Sequence, residues 1–142
     1  MNNNTVYLAG PITEDPACVN WRERVRNSLK FYGIECLLPT RDEFFVNKGS
    51  APMDAVKWIT TRDKNDVRSS AAILINFAGT KKVSIGTCIE IGWASMLDIP
   101  IIAILDNLEN LHNHGMIKEL CIIVTDEKSA INKVLTLLNK NG

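Results

Sequence analysis

AAILINFAGTKKVSIGTCIEIGWASMLDIPIIAIL, residues 71–105, places two short apolar runs on either side of a longer apolar segment. Ala71 to Phe77 reads as a buried strand and AGTKKV as a turn. Ser84 to Asp98 then reads as a helix, with Gly86, Glu90, Trp93, Ala94 and Leu97 at i, i+4, i+7, i+8 and i+11 on one face. Pro100 to Leu105 supplies the next strand. Two strands joined through a helix pair in parallel, so this stretch reads as one unit of an α/β sheet. Glu90 stands out within it. A surface glutamate belongs in a polar stripe, often with a basic residue one turn away. Its helical neighbours Gly86, Thr87, Trp93 and Ala94 carry no positive charge.

The same alternation extends in both directions. Thr5 to Ala9 is a first strand, stopped by Gly10-Pro11. Apolar residues from about Ala17 to Tyr32 (Val19, Trp21, Val25, Leu29, Tyr32) recur with near-helical spacing, and Gly33 sits at the C-terminal cap. Ile34 to Leu38 is a second strand ended by Pro39, and RDEFFVNKGSAPMD follows as a long loop that suits either a lid or a tolerated insertion. From Asp54, a candidate N-cap, a helix carries Asp63 and Asp66; Arg62 is spaced to pair with Asp66, leaving Asp63 without such a partner. After Leu105 comes a polar stretch with a short helical turn near its end. Cys121 to Thr125 is the fifth strand, and Asp126 caps a last helix through Leu138. The expectation is a single domain over residues 1–142, a three-layer α/β/α fold with a five-stranded parallel sheet of Rossmann or flavodoxin-like type.

Composition narrows the function. With 142 residues, 46% of them apolar, the chain can bury one sizeable core. Lys plus Arg and Asp plus Glu number 16 each, so the excess positive field that a nucleic-acid polymer requires is missing. The opening MNNNTVYLAG has no signal-peptide pattern, and no apolar run approaches the roughly 20 residues of a membrane span. A soluble cytoplasmic protein is expected. Cys18, Cys36, Cys88 and Cys121 form no CxxC pair and read as reduced core thiols. GPITED after the first strand is not GxGxxG, and neither a Walker A loop nor a G-x-S-x-G elbow occurs. His112 and His114 form an HxH pair in a loop with Asp106 and Glu109 nearby, and zinc would need a third ligand in suitable geometry. No metal or other cofactor is expected.

In a parallel α/β sheet, ligands collect beyond the carboxyl ends of the strands. That rule points to the loops after Ala9, Leu38 and Leu105 and to the segment before Ser84, whose place at a helix N-terminus suits either an anion or a plain cap. Carboxylate chemistry fits best. Glu90, shielded by Ile89, Ile91 and Trp93, can attack an anomeric carbon if a hydroxyl such as that of Tyr7 orients it, and Asp63 can supply a proton to the leaving group. On spacing alone the alternative stays open that Glu90 is capped by a local donor and Asp63 is solvated. Trp58, Phe44 and Phe45 suit either base stacking or packing.

YLAGP at Tyr7 to Pro11, Arg62-Asp63, the apolar third strand, and SIGTCIEIGWA at Ser84 to Ala94 occur in this order and together resemble the nucleoside 2-deoxyribosyltransferase family, whose relatives include nucleoside 5'-monophosphate N-glycosidases. The resemblance implies that Glu90 is the nucleophile attacking C1' of the sugar. It also implies that Tyr7 orients this glutamate and that Asp63 lies beside the leaving base. Gly10, Ser84, Gly86 and Thr87 would contact the sugar and its 5' group, and His114 and Met116 stand nearest to a substrate-contacting N-x-M motif that family members share across subunits. A homodimer or higher homo-oligomer acting on a small nucleoside or nucleotide follows. Two departures matter. Ser84 stands where transferases of free nucleosides commonly carry an aspartate, which favours a 5'-phosphate, with Arg22, Arg24 or Lys82 as candidate phosphate partners. The loop Thr13 to Pro16 is acidic and lacks the basic clasp of some hydrolases. Hydrolysis, base transfer, and a non-catalytic nucleotide sensor are the three readings carried forward.

Overall fold

The computed structural model describes residues 3–12, 20–41 and 53–140. The Thr13 to Pro16 loop, the expected helix start from Ala17 to Val19, Cys18, and the loop containing Phe44 and Phe45 lie outside the described residues. The elements run β1 (Thr5–Ala9), α1 (Trp21–Lys30), β2 (Glu35–Leu37), α2 (Met53–Ser69), β3 (Ala72–Asn76), α3 (Ile85–Met96), β4 (Ile101–Ile104), α4 (Gly115–Leu120), β5 (Ile122–Val124) and α5 (Glu127–Leu137). The five strands form one sheet in the order β2-β1-β3-β4-β5, every pair parallel. This is the expected three-layer α/β/α fold. The chain leaves β1 toward one edge and returns to β3 on the other side, so strand order reverses between β1 and β3. A crevice opens at that reversal, beyond the strands' carboxyl ends.

Strand alternation assigns each side chain to a layer. Val6, Leu8, Leu74, Ile102 and Ile104 pack with Val25 and Leu29 of α1 and Ala130 and Val134 of α5. Tyr7, Ala9, Ile73, Ile75 and Ala103 pack instead with Val67 of α2 and Ile91 and Ala94 of α3. Tyr7 is thereby committed to the layer that holds Asp63 and Glu90. Helix ends follow local chemistry. Gly33, at φ +76°, closes α1, with Ile34 N–H on the Leu29 carbonyl and Gly33 N–H on that of Lys30. Asp126 accepts from Ser129 N–H at 2.7 Å to cap α5. Among the described residues, no helix is long and apolar enough to cross a membrane.

The rotation of α3 differs from the expected one. Its buried residues are Thr87, Glu90, Ile91 and Ala94, while Gly86 and Leu97 are exposed and Trp93 is half-buried. Ile89, expected to shield Glu90, is 49% exposed. The helix is apolar nearly all round, so periodicity alone left its rotation open. Contact with the sheet selects the Thr87-Glu90-Ile91-Ala94 seam.

Candidate active site

Three elements deliver the central cluster. Tyr7 on β1 is fully buried, Asp63 on α2 is 1% exposed, and Glu90 on α3 is 7% exposed. The Tyr7 hydroxyl donates to Glu90 Oε2. Burial first, then the charges of Glu90 and Asp63, push the Tyr7 phenol well above its usual pKa, partly offset by Arg22. The phenol therefore stays protonated, and its O–H donates to the Glu90 carboxylate and holds it.

Asp63 is not the unpartnered residue that helical spacing suggested. Arg62 Nη2 lies 3.3 Å from Asp63 Oδ1 and also donates to the Pro39 carbonyl at 2.7 Å, tying α2 to the end of β2. Asp66 instead pairs with Arg41 at 2.6 Å. Helical spacing overlooked both the loop arginine and the side chain immediately adjacent in sequence. Trp58 is half-exposed on α2 with the Arg62 guanidinium 5.4 Å from its ring centroid.

At the mouth of the crevice, Gly10 adopts φ +138°, and a Cβ there would fall 2.7 Å from the Asn76 carbonyl oxygen. Only glycine lets the end of β1 approach β3 this closely. Ser84 caps α3: its Oγ accepts from Thr87 N–H at 3.3 Å and lies 2.7 Å from Thr87 Oγ1. Its own N–H, expected to be exposed for an anion, donates to His112 Nε2 at 2.9 Å. Gly86 is exposed, and a Cβ there would meet nothing within 4 Å.

Sequence reasoning missed the work of His112. It is 1% exposed and stacks on Phe77 with ring centroids 4.0 Å apart. Its Nε2 accepts from Ser84, so the other ring nitrogen carries the proton and faces Asn110 Oδ1 at 3.3 Å. Asn110 in turn donates to the Phe77 carbonyl at 2.7 Å. This chain of contacts moors the loop after β4 to the start of α3. His114 does something separate, accepting from Met116 N–H at 3.1 Å to cap α4, and Met116 is 69% exposed. The structure does not bring His114 and Met116 into the Tyr7-Asp63-Glu90 cluster of the same chain by any hydrogen bond or ion pair among the described residues. Among those residues, no group of three or more His, Cys, Asp or Glu side chains could hold a metal ion.

Two proposed phosphate partners are otherwise engaged. Arg22 is buried against backbone carbonyls, and Arg24 forms a two-point pair with Glu127 at 3.1 and 3.2 Å. Lys82, exposed just before α3, is the remaining one of the three.

Comparison with known proteins places the fold. A conserved protein from Enterococcus faecalis V583 superposes with a TM-score of 0.71 at 20% identity, over 94% of this chain and 98% of that one. A 2-deoxyribosyltransferase from Bacillus psychrosaccharolyticus gives 0.73 at 16% identity, over 94% and 95%. The CMP N-glycosidase BcmB from Clostridium botulinum gives 0.61 at 24% identity, over 92% and 96%. At these identities the likeness is one of fold. No curated protein sequence matches the chain. The nucleoside 2-deoxyribosyltransferase family model matches residues 6–133, a span that holds β1 from Val6 onward, the other four strands, and Tyr7, Asp63 and Glu90. The chain therefore belongs to the nucleoside 2-deoxyribosyltransferase family.

Proposed function

We propose that the protein cleaves the N-glycosidic bond of a 2'-deoxynucleoside or its 5'-monophosphate through a covalent ester on Glu90. The observation that carries the reading is the buried Tyr7 hydroxyl on Glu90 Oε2, with Asp63 in the same layer at the strand-order reversal. A carboxylate kept out of water and held by a buried hydroxyl donor is a poised nucleophile. Its oxygen attacks C1', the C1'–N bond breaks, and the bonding pair leaves on the base nitrogen. Asp63 is the group that hydrogen-bonds or protonates that nitrogen in this reading. Water then attacks C1', releasing the sugar, a proton and the free Glu90 carboxylate, with net retention at C1'. If a second base replaces water, the same intermediate gives base exchange. The cycle uses no metal and no redox cofactor.

The uncharged Ser84 at the start of α3 supports a 5'-phosphate rather than a free 5'-hydroxyl. A carboxylate there would repel the phosphate, whereas a helix N-terminus attracts it. Ser84 N–H is taken by His112, so the donors for this role are the N–H groups of Ile85 and Gly86. We further propose a homo-oligomer as the working form. Ile85, Ile89 and Met96 line the outer side of α3 at 73%, 49% and 86% exposure, and α4, which packs against α3, carries exposed Met116. Chain-mass measurement by light scattering tests this, with a monomer as the contrary result.

Purified protein incubated with deoxynucleosides and deoxynucleotides, with and without an acceptor base, tests the chemistry by chromatography of free base. Base release that needs no acceptor supports hydrolysis, and exchange only with an acceptor supports transfer. Tight nucleotide binding with no base released over many hours would leave the sensor reading instead.

A further inference from the structure

Strand β1 outruns β2. The two pair only from Thr5 with Glu35 to Tyr7 with Leu37, whereas β1 and β3 pair on to Ala9 with Ile75. The Asn4 carbonyl accepts from Glu35 N–H on the β2 side, and the Thr5 carbonyl accepts from Ala71 N–H on the β3 side. Alternation then turns the carbonyls of Leu8 and Gly10 toward the side where β2 has ended. Arg22, at the start of α1, takes both: Nε donates to the Leu8 carbonyl at 3.1 Å and Nη2 to that of Gly10 at 2.8 Å. Its guanidinium substitutes for the missing strand neighbour.

The same guanidinium is 4% exposed and, among the described residues, forms no direct ion pair. Buried cations rarely persist without compensation. Here the Trp21 ring lies 4.8 Å away. Burial brings the guanidinium down to about 10, and Tyr7, Glu90 and Asp63 each act to keep it protonated. The titratable groups that act on it come from three packed elements: Tyr7 on β1, Asp63 on α2 and Glu90 on α3. Arg62 is committed to Asp63 and the Pro39 carbonyl. Arg22 is thus the buried cation positioned at the end of the strand that carries Tyr7.

We propose that Arg22 is a positioning residue for glycosidic cleavage, holding the Gly10 turn through its fork and keeping a buried positive charge at the end of the strand that carries Tyr7. The proposal rests on Glu90 being the nucleophile. Fork and charge separate by substitution, because lysine restores the charge as a single point without the planar two-carbonyl reach.

The test compares kcat and KM against pH for wild type, Arg22→Met and Arg22→Lys. Arg22→Met raises the acidic limb of kcat/KM by about one pH unit, since a nearby cation favours the ionised carboxylate. It also lowers kcat at the optimum by roughly tenfold with little change in KM. Arg22→Lys returns the limb to its wild-type place while kcat stays depressed. A limb that does not move in Arg22→Met overturns the role of the charge, and wild-type kcat in Arg22→Lys overturns that of the fork. A carbon-13 NMR titration of Glu90, assigned with Glu90→Gln, reads the same upward shift without turnover. A wild type that releases no base therefore sinks the glycosidase reading, while an unmoved Glu90 midpoint sinks this one. If Arg22→Met does not fold, the Arg22→Lys arm decides: depressed kcat with an unmoved limb is expected, and wild-type behaviour refutes the proposal.

Discussion

Replacing Tyr7 by Phe removes one hydroxyl from a fully buried position and leaves the ring in place. The lost contact is a hydrogen bond to an ionised carboxylate, worth about 1.5–3 kcal/mol. At about 1.4 kcal/mol per factor of ten, kcat/KM near neutral pH falls roughly 10- to 100-fold. The loss is smaller than for Glu90→Ala, because the nucleophile itself survives. Direction on the pH axis follows from the donor's role. A hydroxyl that donates to a carboxylate favours its charged form, so removing it raises the acidic limb by about 1–2 units. Alkaline pH gives a second signature in stability. The folded Tyr7 phenol titrates well above its unfolded value of 10.0. Its contribution is therefore complete below pH 10 and is lost as pH rises further, because the unfolded chain ionises first. Thermal unfolding of wild type should steepen its decline above pH 10, and Tyr7→Phe should lack that component. Unchanged kcat/KM, an unmoved acidic limb and the same alkaline decline in Tyr7→Phe would refute the orienting role.

Gly10→Ala forces a Cβ to 2.7 Å from the Asn76 carbonyl at φ +138°, and calorimetry should find it destabilised by about 1–3 kcal/mol, with a wild-type melting temperature as the contrary result. Burial lowers the His112 pKa, so its contribution is present above the usual value of 6.5 and is lost as pH falls below it; a protonated ring would turn N–H against Ser84 N–H. Unfolding measured from pH 7 to about 5 should lose stability in wild type and lose less in His112→Gln. Cys36 and Cys121, pushed up to about 12 chiefly by burial, should resist iodoacetamide at pH 8 in the folded protein, and rapid alkylation seen by mass spectrometry would contradict that burial.

Much of the fold was legible because short apolar runs and turn residues encode it locally. The ends of β1, the cap at Ser84 and the cap at Asp126 follow from residue types at element boundaries. The cluster of Tyr7, Asp63 and Glu90 was legible as well, through four ordered blocks of sequence rather than through spacing alone. What stayed hidden depends on long-range geometry. The rotation of α3 could not be read because apolar residues surround most of that helix. Arg62 turned to Asp63 and Pro39, while Asp66 found Arg41, a partner 25 positions away in sequence. Arg22 read as a candidate phosphate partner because nothing in its neighbourhood reveals that β2 ends two residues before β1 does. His112 read as a loop histidine because its partner, Ser84, belongs to another element.

The central claim is that Glu90 carries the sugar. A 2'-fluoro-2'-deoxyarabinosyl substrate, whose fluorine disfavours the oxocarbenium-like transition states, should let the ester accumulate when the protein is quenched in acid and mapped by mass spectrometry. One sugar mass is expected on the peptide containing Glu90 and none in Glu90→Gln. A sugar attached to any other residue, or base release at wild-type rate from Glu90→Ala, would contradict it.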